Sequence, residues 1–482
     1  MSPHLRVTLI SEQYAPDMSS TAQLFEELLC ELSRCGIATS VCAMTPGYVK
    51  NVARAPLREV RKGVRVWRMP RLPFARTNRI GEALNWVWAT FCLAWMALWI
   101  PREVPLIVGT NPPLAHLVGV FMKILKGQRF IALFYDLHPE LSCAVGLLRT
   151  GSLVDRIWRR INSWALRHAD LALSLGPYMT QSIKARCATV PTIIMHNWCD
   201  AKTVRCFPKE QSRFAHDHEL LGKFVVLFSG NMGWRQRLEI LLEVAAEVQD
   251  TPIRFVFIGE GAKKTKLQET AQQRGLNNVL FFPYQPRELM EHSLAAADVS
   301  VVSQEREVIG FGVPSKIYTY MASGRAMLGL AGRPCEVIDM INQYHCGWTF
   351  DEDHDKAAII AKLRELLRDR KQCVQAGQRA RREFEEHFSL EVIAQQYAGI
   401  IRQHCAMGPA PSLFTRLLSR KASSHTESEL AEIKQEYLKR KMTAPPKHAD
   451  GVHESFPLQG GQDDVGNGTR REEKNSLQKS EA

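Results

Sequence analysis

The 482-residue chain is longer than one ordinary domain, at roughly 100 to 200 residues each, and its 45% hydrophobic content is enough to fill two cores. A formal net charge of +12 favours anionic partners, but the basic residues are spread along the chain without the aromatic-studded basic runs of a single-strand binding surface, which argues against nucleic acid. The twelve cysteines are scattered, none in a Cys-x-x-Cys pair, and no secretory signal opens the chain, so a reducing cytosol is the expected setting.

In chain order, residues 5–11 form an apolar run of strand type, followed by a polar turn at 12–18. A helix start at Ser20-Thr21-Ala22-Gln23 reads as a capping box. Leu24, Leu28, Leu29 and Leu32 recur at helical spacing, Gly36 stands where a C-terminal cap belongs, and 38–44 reads as the next strand. Strand, helix, strand implies a parallel sheet, and the alternation resumes with strands at 106–110, 130–134 and 170–174. These place a first domain at 1–195.

Within it, residues 84–100 are almost wholly apolar and hold Trp86, Trp88, Trp95 and Trp99, with Arg76 and Arg79 before and Arg102 after. Such a segment reaches about 25 Å as a helix, at the lower edge of what crosses a hydrocarbon core. A single crossing would put strand 106–110 across the membrane from the strands before Arg71, which one sheet cannot tolerate. The expectation is an in-plane anchor with Trp88, Trp95 and Trp99 near one face. A core helix of the first domain is the alternative.

A second series places a second domain at 196–405, with strands at 224–228, 253–258, 279–282, 299–302 and 326–330 and helices between them. Beyond it, residues 406–482 turn to Ser, Lys, Glu, Gly and Pro and read as a mostly disordered tail with a short helix at 426–441.

The chemistry concentrates in the second domain. Residues 310–325 read as a glycine-rich loop feeding a helix, in which Gly310 and Gly312 admit backbone amides to an anion, Pro314 suits the first turn, Ser315 caps it and Lys316 adds a full charge. Gly230-Asn231-Met232-Gly233-Trp234-Arg235 forms a similar junction after a strand, Gly259-Glu260-Gly261 follows, and Phe282-Pro283-Tyr284 ends a strand where a ring can cradle a base. No metal-ligand cluster stands out.

With these segments in this order, residues 5 to about 402 resemble a family 4 retaining glycosyltransferase of the type acting in bacterial surface polysaccharide biosynthesis. The resemblance implies an α/β fold of two doubly wound Rossmann-like domains facing a crevice, the GT-B plan. It implies a nucleotide-sugar donor, UDP-linked, on the second domain and a lipid-linked or growing glycan acceptor on the first. No metal or other cofactor is expected, and the setting is the cytoplasmic face of the inner membrane with peripheral contact through 84–100. Gly230, Asn231, Gly233, Gly310, Phe311, Gly312, Ser315 and Lys316 would surround the diphosphate, and Tyr284 would frame the base.

Departures from the family pattern fall at the sugar-facing half. The second of the family's two glutamates, eight positions apart, is Thr319 here, and the first is Phe311. Glu307, just upstream, would reach the sugar or ribose instead. The family's paired basic residues fall on Asn231 and Gln236, with Arg235 and Arg237 as substitutes. Asp136, in Tyr135-Asp136-Leu137-His138-Pro139, would orient the acceptor or stabilise the oxocarbenium-like centre. The helix start at Ser20 would close over the diphosphate or acceptor. A sugar-nucleotide epimerase of the same fold, or a binder that has lost turnover, is the competing reading.

Overall fold

The computed structural model describes residues 5–17, 19–47, 55–74, 79–351, 355–412 and 415. Arg76 and the expected helix at 426–441 lie outside them, as does the tail from 416 onward. These described residues form one compact unit.

Its first half runs β1 (Arg6–Ile10), α1 (Ser20–Arg34), β2 (Ala38–Met44), β3 (Arg58–Arg61), β4 (Val64–Met69), α2 (Arg79–Ala97), β5 (Leu106–Val108), α3 (His116–Lys126), β6 (Phe130–Leu133), α4 (Glu140–Ala144), α5 (Leu153–His168), β7 (Leu171–Ser174), α6 (Pro177–Arg186) and β8 (Thr192–Ile194). The second runs α7 (Arg213–Asp217), β9 (Phe224–Ser229), α8 (Glu239–Glu247), β10 (Ile253–Ile258), α9 (Lys264–Gln273), β11 (Val279–Phe282), α10 (Arg287–Ala295), β12 (Val299–Gln304), α11 (Lys316–Ala322), β13 (Ala326–Ala331), α12 (Glu336–Gln343), β14 (Gly347–Phe350), α13 (Lys356–Arg368), α14 (Lys371–His387) and α15 (Leu390–Ala406).

Among the described residues, the strands form two sheets, ordered β3-β4-β2-β1-β5-β6-β7-β8 and β11-β10-β9-β12-β13-β14. Every pairing is parallel except that of β3 with β4, an edge hairpin turned at Lys62 (φ 49°) and Gly63 (φ 87°). Central strands such as β6, β7 and β13 are buried along their whole length, as a parallel sheet with helices on both faces requires. The two-domain α/β plan implied by the resemblance is the one observed. One connection crosses between the halves: α15 packs against α1 and contributes Leu390, Ile393, Tyr397 and Ile401 to the first domain's core.

One local expectation needs correction. The cap of α1 is Ser19, not Ser20: Ser19 keeps extended backbone (φ −71°, ψ 149°) and its Oγ accepts from Ala22 N at 3.2 Å, which leaves Ser20 exposed as the first helical residue. α2 is a crossover between β4 and β5 of one sheet, and its inner face buries Leu93, Met96 and Ala97. No helix among the described residues is long and apolar enough to cross a membrane. Trp88, two turns before Trp95 on the same side of α2, is half-buried: it packs against Met44, Ala89 and Cys92, stacks on the exposed Phe91 at 6.0 Å, and its indole N–H donates to Pro70 O at 2.8 Å. The exposed row on α2 is Ile80, Leu84, Val87, Phe91 and Trp95, and Trp99 continues it just past the helix end.

Candidate functional site

The loops after β9 and β10 interlock at the carboxyl ends of the second sheet, where doubly wound folds place ligands. Gly230 N donates to Ile258 O at 2.9 Å, and Met232 N to Glu260 O at 2.8 Å. A Cβ on Gly259 (φ 137°) would stand 2.0 Å from Gly230 O, and one on Gly261 (φ 149°) 2.4 Å from Asn231 Oδ1. Only glycine fits either position. The exposed Tyr284 ring covers Gly259, since the same hypothetical Cβ would lie 3.3 Å from its Cε1. Asn231 is exposed at the loop tip, and Gly233 N donates to Gln236 Oε1 at 3.2 Å.

Lys316, the first residue of α11, lays its side chain across the end of β9. Its Nζ sits 3.6 Å from the centroid of Phe228, and a Cβ on Gly230 would meet it at 3.1 Å. The nitrogen is shielded from solvent and has no hydrogen-bond partner among the described residues. Burial pulls its pKa from 10.5 down to about 7. A buried ammonium without a partner is costly, and an anion at Gly230 would supply the missing charge.

The expected Ser315 cap is absent. Ser315 already has helical backbone (φ −62°, ψ −19°), so its side chain makes no capping bond. The loop ahead of α11 is held by a residue that local sequence gave no reason to single out: Gln304, the last of β12, donates through Nε2 to Gly312 O at 2.8 Å, and its Oε1 accepts from the Cys335 thiol at 3.4 Å. Gly310 (φ 77°) faces α6 of the first domain, where a Cβ would lie 3.1 Å from Ser182 Oγ. Phe311 packs against the first domain's core.

Across the crevice, Asp136 meets this loop. Its backbone bridges Gly312, Leu137 N donates to Phe311 O at 2.9 Å, and its Oδ1 accepts from Arg235 Nη1 at 2.8 Å. The structure thus brings Asp136, Arg235, Phe311 and Gly312 together, beside a small open cleft whose walls include Leu141, Gln236, Gln304 and Pro314. His138 stacks on Trp158 at 5.8 Å, its Nδ1 lies 2.9 Å from Ser142 Oγ, and burial lowers its pKa to about 4, so it is neutral at pH 7. Tyr135 is buried edge-on to Phe25 at 5.3 Å.

Three expected residues stand apart from this group. Glu307 is exposed on the single turn 306–308, while its neighbour Glu305 pairs with Lys263 at 3.1 Å. Thr319 is half-buried one turn along α11 from Lys316, and Ser20 is a solvent-facing residue of α1. The domains are also tied at two points the sequence did not disclose. Glu336 of α12 accepts from Met179 N at 3.1 Å at the start of α6, and Arg287 pairs with Glu27 at 2.6 Å. Burial raises the pKa of both carboxylates.

Residues 209–383, which span this wall of the crevice, match the family described as Glycosyl transferases group 1. The matched residues take up most of the second domain. Over 365 residues, 75% of this chain and 89% of the relative, the sequence is 26% identical to the probable glycosyltransferase WbjE of Pseudomonas aeruginosa. It is 24% identical to the putative colanic acid biosynthesis glycosyl transferase WcaI of Escherichia coli K12, covering 75% of this chain and 92% of that one. The solved structure of Anabaena Alr3699/HepE in complex with UDP-glucose superposes with a TM-score of 0.61 at 15% identity, covering 83% of this chain and 100% of that one. The likeness extends over both domains and establishes the GT-B fold.

Proposed function

We propose that the chain is a retaining hexosyl- or N-acetylhexosaminyl-type transferase. Its donor would be a UDP-linked sugar, its acceptor a lipid-linked or growing glycan in polysaccharide biosynthesis. The observation that carries this reading is the shielded, unpartnered Lys316 Nζ between Phe228 and Gly230. Glycosyl transfer leaves negative charge on the departing diphosphate, and preorganised donors aimed at that charge lower the barrier. Lys316, the Gly230–Gly233 backbone, Gly312, Ser315 and Arg235 fill that role, and no metal is required. Tyr284 frames the base over Gly259.

Asp136, opposite, orients the acceptor hydroxyl or steadies the oxocarbenium-like centre. Retention of configuration is taken from the family resemblance. The neighbour solved with UDP-glucose supports the donor class, and the colanic acid relative supports the pathway class. The outward apolar row of α2 supports peripheral contact with the cytoplasmic face of the inner membrane.

The test incubates purified chain with labelled UDP-sugars and a polyprenyl-diphosphate-linked acceptor. Label transferred to the acceptor is expected. UDP-sugar binding without transfer across a broad donor panel would overturn the reading.

A further inference from the structure

The outer helices of the first domain expose more apolar surface than isolated surface residues account for. Phe91 and Trp95 of α2 point outward, with Trp99, 71% exposed, just beyond. α3, packed beside α2, adds Phe121 and Leu125 one turn apart, and α5, packed on α3, adds Trp164. The rings of Trp86 on α2 and Trp158 on α5 lie 6.1 Å apart, so the flanking helices also meet directly. Contiguous apolar surface of this kind marks an interaction site.

Charge supplies an independent observation. Arg156, Arg160 and Arg167 are exposed on α5 at spacings of one and three turns, and none of them forms an ion pair among the described residues. The acid of that helix, Asp155, is turned inward, accepting from Gly151 N at 2.8 Å and pairing with Arg159 at 2.7 Å. The outward charge of α5 is therefore all positive beside an aromatic row.

The geometry points to a docking face for an anionic bilayer, in which the aromatic side chains of α2 and α3 enter the interfacial region and the α5 arginines meet lipid phosphates. It builds on the peripheral contact proposed above and adds two helices, α3 and α5, and a lipid class. A second copy of the chain fits less well. An isologous interface sets a patch against itself and would oppose arginine with arginine.

Flotation of the full chain with vesicles of phosphatidylcholine alone, or with added phosphatidylglycerol, tests this. The anionic vesicles are expected to capture the protein, the neutral ones far less, and capture should weaken with salt. The variant R156Q/R160Q/R167Q should lose about 100-fold in partitioning, whereas R156K/R160K/R167K should retain it. Calorimetric UDP binding by both arginine variants should be unchanged, because none of these side chains lines the crevice; this separates lost docking from lost folding and from failure of the donor reading. Equal capture by neutral and anionic vesicles, or undiminished capture of the glutamine variant, overturns the proposal while leaving the α2 contact standing. Absence of capture, with light scattering showing a concentration-dependent dimer, overturns it in favour of a second copy.

Discussion

On the second-domain wall of the crevice, Gly259 and Gly261 leave 2.0 and 2.4 Å for any Cβ, so the loops hold their shape by backbone contact. The first-domain wall is held by side chains instead, with Asp136 paired to Arg235 and His138 stacked on Trp158. A backbone-built wall is stiff and tolerates one residue type at its tightest points. A wall built by side chains can be re-specified by substitution without refolding the loop, which is the property expected of the side that selects the acceptor.

The largest effect that would break this comparison is Gly259→Ala. Its Cβ clashes with Gly230 O at a positive φ, and a cost of about 3 kcal/mol is expected, seen as a drop of on the order of 10 °C in a thermal melt together with lost UDP binding. A melt within a degree or two of the parent would show that the wall is not backbone-limited.

Next in size, Asp136→Asn should lower turnover about 100-fold while changing UDP affinity little. The partly exposed pair with Arg235 contributes at most about 1 kcal/mol to stability, so the melting temperature should barely move. An equal loss of UDP affinity would place Asp136 on the donor side.

Lys316→Met should weaken UDP binding roughly 30-fold by calorimetry, on the order of one charge-assisted hydrogen bond. The same position gives the finest test, through pH. An anion binds the protonated amine, so UDP affinity should fall as pH rises above about 7, with proton uptake on binding. For folding the sign is opposite. The unfolded chain holds the Lys316 proton up to about 10.5 and the folded one only to about 7, so raising pH through that window relieves a penalty and adds stability. That slope should vanish in Lys316→Met, and melts across pH check it.

What the sequence disclosed follows the same division. The strands at 253–258 and 279–282 and the glycines after them were legible because apolar runs and positive-φ demands are local. Gln304 and Glu336 were not, since each matters only through a partner far along the chain, Gly312 and Cys335 for one and Met179 for the other. The Ser20 and Ser315 caps were misread at the scale of one residue, where backbone angles decide which serine accepts a bond.

The return of α15 to the first domain has a consequence for synthesis. Leu390, Ile393, Tyr397 and Ile401 complete a core most of whose members are encoded before residue 199, Val313 being contributed by the loop ahead of α11. At typical elongation rates the N-terminal half waits about 10 to 40 s for the helix that covers it. Until then the outer surface of α1 is bare, so a ribosome stalled between the two domains should present a chaperone substrate rather than a finished domain, and a fragment ending at residue 195 should need residues 390–406 supplied in trans to stay soluble.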